Sequence, residues 1–172
     1  MKKAFSILVA LVLIFLFASC KQPAAEETTQ LPNPIVDVES SADFEPLGVS
    51  ITAPEGAENV TYSTIAKVTA QINFTLDGRA YTYRAAKATD DISGVYVTFD
   101  ETQETFNLDA ADFSVSVLVR TIGGGANGAL ATWSLDGAAY TLYSADASTI
   151  DSMSDTALLC AYADLPFGAC IG

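Results

Sequence analysis

The side chains best suited to chemistry in this chain are acidic: Asp90-Asp91, and the run Asp100-Glu101-Thr102-Gln103-Glu104 with Asp109 and Asp112 beyond it. Two carboxylates converging on one bond could do the acid and base work of a glycosidase. Neighbours on a strand or turn point in different directions, however, so Asp90-Asp91 reads as a turn ahead of Ile92-Ser93-Gly94. An oxygen-rich loop could hold calcium, but an EF-hand loop started at Asp100 would need glycine at its sixth position, where Thr105 stands. The default is a solvated acidic turn. There is no histidine. That removes the commonest general base, the commonest zinc ligand and every Ser-His or Cys-His nucleophile pair. No catalytic residue, metal ligand or cofactor is assigned.

Gly123-Gly124-Gly125-Ala126-Asn127-Gly128 satisfies G-x-G-x-x-G by letter. A phosphate site of that kind needs a helix directly after it. Ala129-Leu130-Ala131-Thr132-Trp133 reads instead as a strand, so the segment is expected to be a hairpin loop.

Binding is the chemistry left. Arg79 and Arg84 stand out on an acidic body as cations that could meet an anionic group, or pair with nearby carboxylates at the surface. Tyr62, Tyr96 and Tyr143 are candidate contact residues, because tyrosine is favoured at recognition surfaces. Their alternative role is packing between strands and helix.

Elements must position these residues. Short runs rich in Val, Ile, Thr, Tyr and Phe, separated by Gly or Asp turns, predict strands near 48–53, 59–65, 67–76, 79–87, 94–100, 104–108, 113–122, 129–135 and 138–144. Asp77-Gly78 suits the positive φ angles of a type I′ turn. That turn sets Phe74 opposite Tyr81 and Ile72 opposite Tyr83, with Asn73 and Gln71 on the other face with Thr82 and Arg84. The unit Leu76-Asp77-Gly78-Arg79-Ala80-Tyr81-Thr82 returns as Leu135-Asp136-Gly137-Ala138-Ala139-Tyr140-Thr141, at an offset of 59 residues. Duplication or a shared solution to hairpin design would explain it, and the unaligned intervening segments favour the second. Ile150, Met153, Ala157, Leu158 and Ala161 then recur at helical spacing, with Ser148 and Asp151 as a capping box, predicting a helix over 149–162. The expected fold is α+β: a mainly antiparallel sheet of hairpins with one C-terminal helix packed on it.

The first residues set the location. Met1-Lys2-Lys3, an apolar run from Ala4 to Ala18 and then Ser19-Cys20 form a signal-peptide pattern. The motif resembles the lipobox of bacterial lipoproteins, with Phe17 where leucine is usual. This resemblance implies cleavage before Cys20 and a diacylglycerol on its thiol, two alkyl chains being enough for a stable anchor. Residues 20–46, with four prolines and many acids after Cys20, read as a flexible stalk in which Ile35-Val36 and Val38 could pair with an edge of the domain. Residues 47–172 read as one β-rich domain. All 21 acidic residues follow Cys20 and only six basic ones do, a net charge of 6 − 21 = −15. Nucleic-acid binding is excluded as a role on that charge. Cys160 and Cys170, in an oxidising exterior, could close a small loop that adds roughly 2–3 kcal/mol. Two free thiols are the alternative.

Tyr62, Ile72-Asn73-Phe74, Tyr81-Thr82-Tyr83-Arg84-Ala85-Ala86 and Ile92-Ser93-Gly94-Val95-Tyr96 are similar to segments of small uncharacterised lipoproteins of anaerobic Gram-positive bacteria. The resemblance covers the leader and about 58–98, implies the outer face of a cytoplasmic membrane, and carries over no active-site residue. The expected role is a non-enzymatic, surface-tethered module. It would bind a protein, a peptide or an envelope glycan. The alternatives are a carboxylate-dependent envelope hydrolase, using Asp90, Asp91 or Asp100, and a structural or inhibitory lipoprotein.

Overall fold

A computed structural model describes residues 34–106 and 115–164, within a folded unit that begins at Asn33. Eight strands form one antiparallel sheet: β1 (Ile35–Val38), β2 (Glu58–Ile65), β3 (Thr69–Leu76), β4 (Arg79–Ala86), β5 (Glu101–Phe106), β6 (Ser116–Thr121), β7 (Ala129–Leu135) and β8 (Ala138–Ser144). One helix, α1 (Ile150–Ala163), follows. The expected α+β class and the packing of a C-terminal helix on the sheet are both found, α1 lying against β6 and β7.

The spatial order is β1-β2-β3-β4-β8-β7-β6-β5, two four-stranded meanders joined where β4 meets β8. Each meander is organised by an Asp-Gly turn. Asp77 and Gly78 have φ of 50° and 76°, and Asp136 and Gly137 have 49° and 70°. These are the angles a two-residue hairpin requires, and they fix the register on both sides. Phe74 faces Tyr81 with ring centroids 5.4 Å apart, and Trp133 faces Tyr140 at 5.6 Å. The two hairpins match residue for residue at the offset of 59. They also meet symmetrically, since Thr82 faces Tyr143, Arg84 faces Thr141 and Tyr83 faces Leu142 across the junction. The repeat therefore extends from the turn to the whole sheet. This two-fold arrangement is what duplication of a four-stranded unit would leave, and equally what two meanders built on one hairpin design would give.

Alternation gives the sheet two faces. On the core face lie Ile72, Phe74, Tyr81, Tyr83, Val117, Val119, Ala131, Trp133, Tyr140 and Leu142, all buried. Two pieces cover it. Residues 41–57 bring Phe44, Val49 and Ile51, and α1 brings Ile150, Met153, Ala157, Cys160 and Ala161. Each large side chain removed from water contributes about 1.5–3 kcal/mol. Tyr81 and Thr156 place their hydroxyls 3.4 Å apart, linking α1 to β4.

Three expectations need correction. Residues 48–53 and 94–100 are not strands, because they find no partner strand and serve as coverings. The folded unit starts before residue 47. Ile35–Val38 pairs with β2, the edge pairing expected of Ile35-Val36 and Val38, but a 3-10 helix (Ser41–Leu47) also buries Phe44, so the acidic, proline-containing stretch is in part structural. The Asp43 carboxylate holds that turn by accepting the Glu39 and Ser40 N–H groups at 3.1 and 3.0 Å. Finally, α1 is capped by Thr149 and Ser152, each hydroxyl accepting the other's backbone N–H at 3.1 Å, and not by Ser148 and Asp151. Cys20 and residues 1–33 lie outside the described residues, as do Asp109, Asp112 and Cys170.

Candidate binding face

The second face of the sheet collects polar side chains. On it a hydrogen-bonded chain crosses three strands. Gln71 Nε2 donates to Ser63 Oγ at 3.2 Å, and Arg84 Nε donates to Gln71 Oε1 at 2.8 Å. Beside it, Thr82 donates to Asn73 Oδ1 at 2.9 Å. The register read from Asp77-Gly78 puts these residues together, because Gln71 faces Arg84 and Asn73 faces Thr82.

Residues 87–100 run across this face from β4 to β5 at the far edge, passing over β8, β7 and β6. Two arginines mark the route. Arg84 Nη1 donates to the Ile92 carbonyl at 3.3 Å and also to the Ser93 carbonyl. At the far end the Arg120 guanidinium lies 4.4 Å from the centroid of Phe99, a cation–π contact. The strap is shaped locally as well. Asp91 Oδ1 accepts the Ser93 N–H at 2.8 Å, and Ser93 Oγ accepts the Val95 N–H at 3.1 Å. Such short side-chain loops are the usual use of Asp and Ser in turns. Below the strap, Leu130 is fully buried and Thr141 nearly so.

Three of the five residues singled out as binding candidates gather here. Arg84 and Tyr143 are diagonal neighbours across the β4–β8 junction, a spacing of about 7–8 Å between backbones. They also occupy equivalent positions in the two halves, 59 residues apart. Tyr96, on the strap, is 94 % exposed and close enough to act electrostatically on Arg84. Burial lowers the Arg84 pKa from its ordinary value, and Tyr96 partly opposes this. Arginine titrates so far above neutrality that the charge stays. Among the described residues, the hydrogen-bond acceptors it meets are neutral oxygens, those of Gln71, Ile92 and Ser93.

The other two candidates lie elsewhere. Tyr62 is on the core face, half-buried with its ring 6.2 Å from Phe44, so packing accounts for it. Arg79 stands next to the hairpin turn, opposite Leu76 and on the edge of the core face. Periodicity assigns Tyr62 to the face of Ile72, and that signal was present in the sequence.

Two of the carboxylates considered for chemistry, Asp91 and Asp100, are engaged in structure. Asp100 Oδ2 accepts the Gly124 N–H at 2.6 Å and Oδ1 accepts the Thr121 hydroxyl at 3.2 Å. The Gly124 hydrogen bond above all holds its pKa below the usual carboxylate range. The glycine loop 122–128 is thus a β6–β7 connection fastened by Asp100 and by the Ser148 N–H, which donates to the Gly125 carbonyl at 2.9 Å. No helix follows it, and a strand does, as expected. Among the described residues, no group of three carboxylate or thiol side chains converges as a metal site, and no helix is long and apolar enough to cross a membrane. Cys160 is a free, fully buried thiol on the inner side of α1, and its expected partner Cys170 lies outside the described residues.

The chain matches no family model, no curated protein and no solved structure. The site must be read from its own chemistry.

Proposed function

We propose that the protein is a non-enzymatic binding module, tethered by lipid on Cys20 to the extracytoplasmic face of a cell membrane, that contacts its partner through the second face of the sheet. The partner is a protein, peptide or envelope glycan with an anionic or hydrogen-bonding group to place against Arg84. The lipobox-like leader supports the location. One observation supports the binding face: Arg84, half-buried and bonded among the described residues to neutral oxygens, is a diagonal neighbour of Tyr143 on β8 and within electrostatic reach of the exposed Tyr96 on the strap. Hydrogen bonds to a charged group are stronger than neutral ones, so an anionic ligand group would gain most at this spot.

The test is affinity capture from the native envelope with the full chain in mild detergent, comparing wild type with Tyr96→Ala and Tyr143→Phe. Neither substitution disturbs a hydrogen bond described above. A component retained by wild type and lost by both variants supports the reading, and equal retention by all three overturns it.

A further inference from the structure

Three of the seven large apolar side chains exposed among the described residues, Ile35, Val36 and Val68, sit at one corner of the sheet. Ile35 and Val36 open β1, and Ile35 faces Ile65 at the end of β2. As strand neighbours they point to opposite faces, so the corner is apolar on both sides. The Val68 N–H donates to the Ile65 carbonyl at 3.1 Å, and the Ala66 N–H donates to the Pro34 carbonyl at 2.7 Å. The β2–β3 turn is thereby pinned to the start of β1. It is a two-residue turn like the Asp-Gly hairpins, but Ala66 and Lys67 hold its left-handed positions, with φ of 51° and 59°. Glycine, asparagine or aspartate would sit there with less strain. The turn keeps a methyl, an ammonium and then Val68 at an exposed tip against that strain, the pattern expected of a contact site.

The chain enters the folded unit at this corner. Pro34 follows Cys20 by 14 residues, a reach of about 50 Å at full extension. Charge is graded along the strands in the same sense. Both lysines among the described residues, Lys67 and Lys87, lie at this end of the sheet, Lys87 Nζ donating to the backbone carbonyl of Asp136 at 2.7 Å. Asp136, in the β7–β8 turn, is an acid at the same end, whereas Glu58, Asp77, Asp100 and Asp146 lie at the opposite one. We propose that this corner rests in the membrane interface, with Ile35, Val36 and Val68 entering the headgroup layer and Lys67 meeting lipid phosphate. The proposal rests on the lipid anchor at Cys20. With the corner tethered close to the bilayer, a weak apolar contact is enough to hold it. An acidic domain seated this way keeps most of its carboxylates away from anionic headgroups. Both faces of the sheet, the Arg84 face among them, stand clear of the surface.

Tryptophan quenching tests this, with the full chain in vesicles of phosphatidylcholine and phosphatidylglycerol brominated on the upper acyl chain. Trp133, the single tryptophan, is buried and supplies the background. Val68→Trp should lose emission to the bromine. Glu55→Trp makes the same apolar addition in an exposed turn beside Leu76, at the opposite end of the sheet, and should keep its emission. Val36→Trp repeats the reading should Val68→Trp fail to fold. Equal loss at both ends, or loss at neither, in a chain whose mass shows diacylglycerol on Cys20 overturns the corner contact and leaves the anchor standing. Emission of Val68→Trp that follows protein concentration and not bromine assigns the corner to a second copy, and overturns it likewise. A mass that shows Cys20 unmodified overturns the anchor and the contact with it.

Discussion

Tyr83 and Leu142 face each other across the β4–β8 junction, and each is the other's counterpart in the repeat, 59 residues apart. The local two-fold axis of the sheet passes between them. Equivalent positions nearby have diverged in chemistry. Arg84 corresponds to Tyr143, Gln71 to Leu130 and Asn73 to Thr132. The first half carries the polar network on the second face, and the second half carries the apolar residue beneath the strap.

That symmetry does not extend to the loops, and the β6–β7 loop is the tightest. A Cβ on Gly128 would sit 2.2 Å from the Ser144 carbonyl oxygen at φ +110°, and one on Gly125 would sit 2.3 Å from that of Ser148 at φ +85°. Gly124 has open space around it. Gly128→Ala and Gly125→Ala should each cost about 2–4 kcal/mol, and Gly124→Ala about 1 kcal/mol for its positive φ alone. Urea unfolding midpoints rank the three.

The strap depends on Arg84. Arg84→Met keeps most of the stem volume and leaves the Gln71 amide and the Ile92 and Ser93 carbonyls without their donor, so stability should fall by about 1–3 kcal/mol. Hydrogen exchange within residues 87–100 should accelerate more than exchange in β2 or β3. Uniform acceleration would show that the arginine supports the sheet and not the strap.

Tyr96 makes the opposite prediction. With 94 % of its surface exposed, Tyr96→Ala should leave thermal stability within about 0.5 kcal/mol of wild type while removing partner retention. A large loss of stability would mean the ring packs somewhere not apparent from its surroundings.

Two aspartates should shape the stability–pH curve in opposite ways. Asp100 is easier to ionise folded than unfolded, so its contribution is present above the ordinary carboxylate pKa and is lost as pH falls through the lower folded value. Asp100→Asn should flatten the acid limb. Asp164, at the end of α1, accepts the Thr52 N–H at 2.6 Å and the Tyr83 hydroxyl, yet burial raises its pKa to about 7. It acts between about pH 4 and 7, with stability falling as pH rises, on the order of 2 kcal/mol once its partial exposure is allowed for. Asp164→Asn should flatten that limb instead. Denaturant melts of both variants across the range separate the two.

Phe44 tests where the folded unit begins. Phe44→Ala should cost about 3–5 kcal/mol, a loss impossible for a residue in a free stalk. Thermal melting of the variant reads this directly.

Much of this fold was legible locally. Asp77-Gly78 and Asp136-Gly137 stand between runs of period two, so turn chemistry and pattern agree on which residue faces which. That agreement placed Arg84 beside Gln71. The helix showed through the spacing of Ile150, Met153, Ala157 and Ala161. What stayed hidden depends on long-range partners. Residues 48–53 and 94–100 have strand-like composition, and only the order of strands in space shows that no neighbour is free to pair with them. Phe44 was obscured by the acids and prolines around it. Asp164 was not singled out, because nothing around it in sequence suggests that Tyr83, 81 residues earlier, would meet it. The α1 cap shifted by one residue because Ser148 and Thr149 are both competent caps, and Thr149 has the hydroxyl of Ser152 three residues on.

The route of the strap also bears on how the chain reaches this state. The hairpins β3–β4 and β7–β8 close over two residues each and can form early, within microseconds. The β4–β8 seam joins residues more than 50 positions apart and must wait for residues 87–100 to cross the sheet. Until then each meander carries a bare inner edge made for the other, and a second molecule offers the same edge. At high concentration during refolding, β4 of one chain can therefore capture β8 of another, with the strap as the hinge, and a domain-exchanged dimer is the expected by-product.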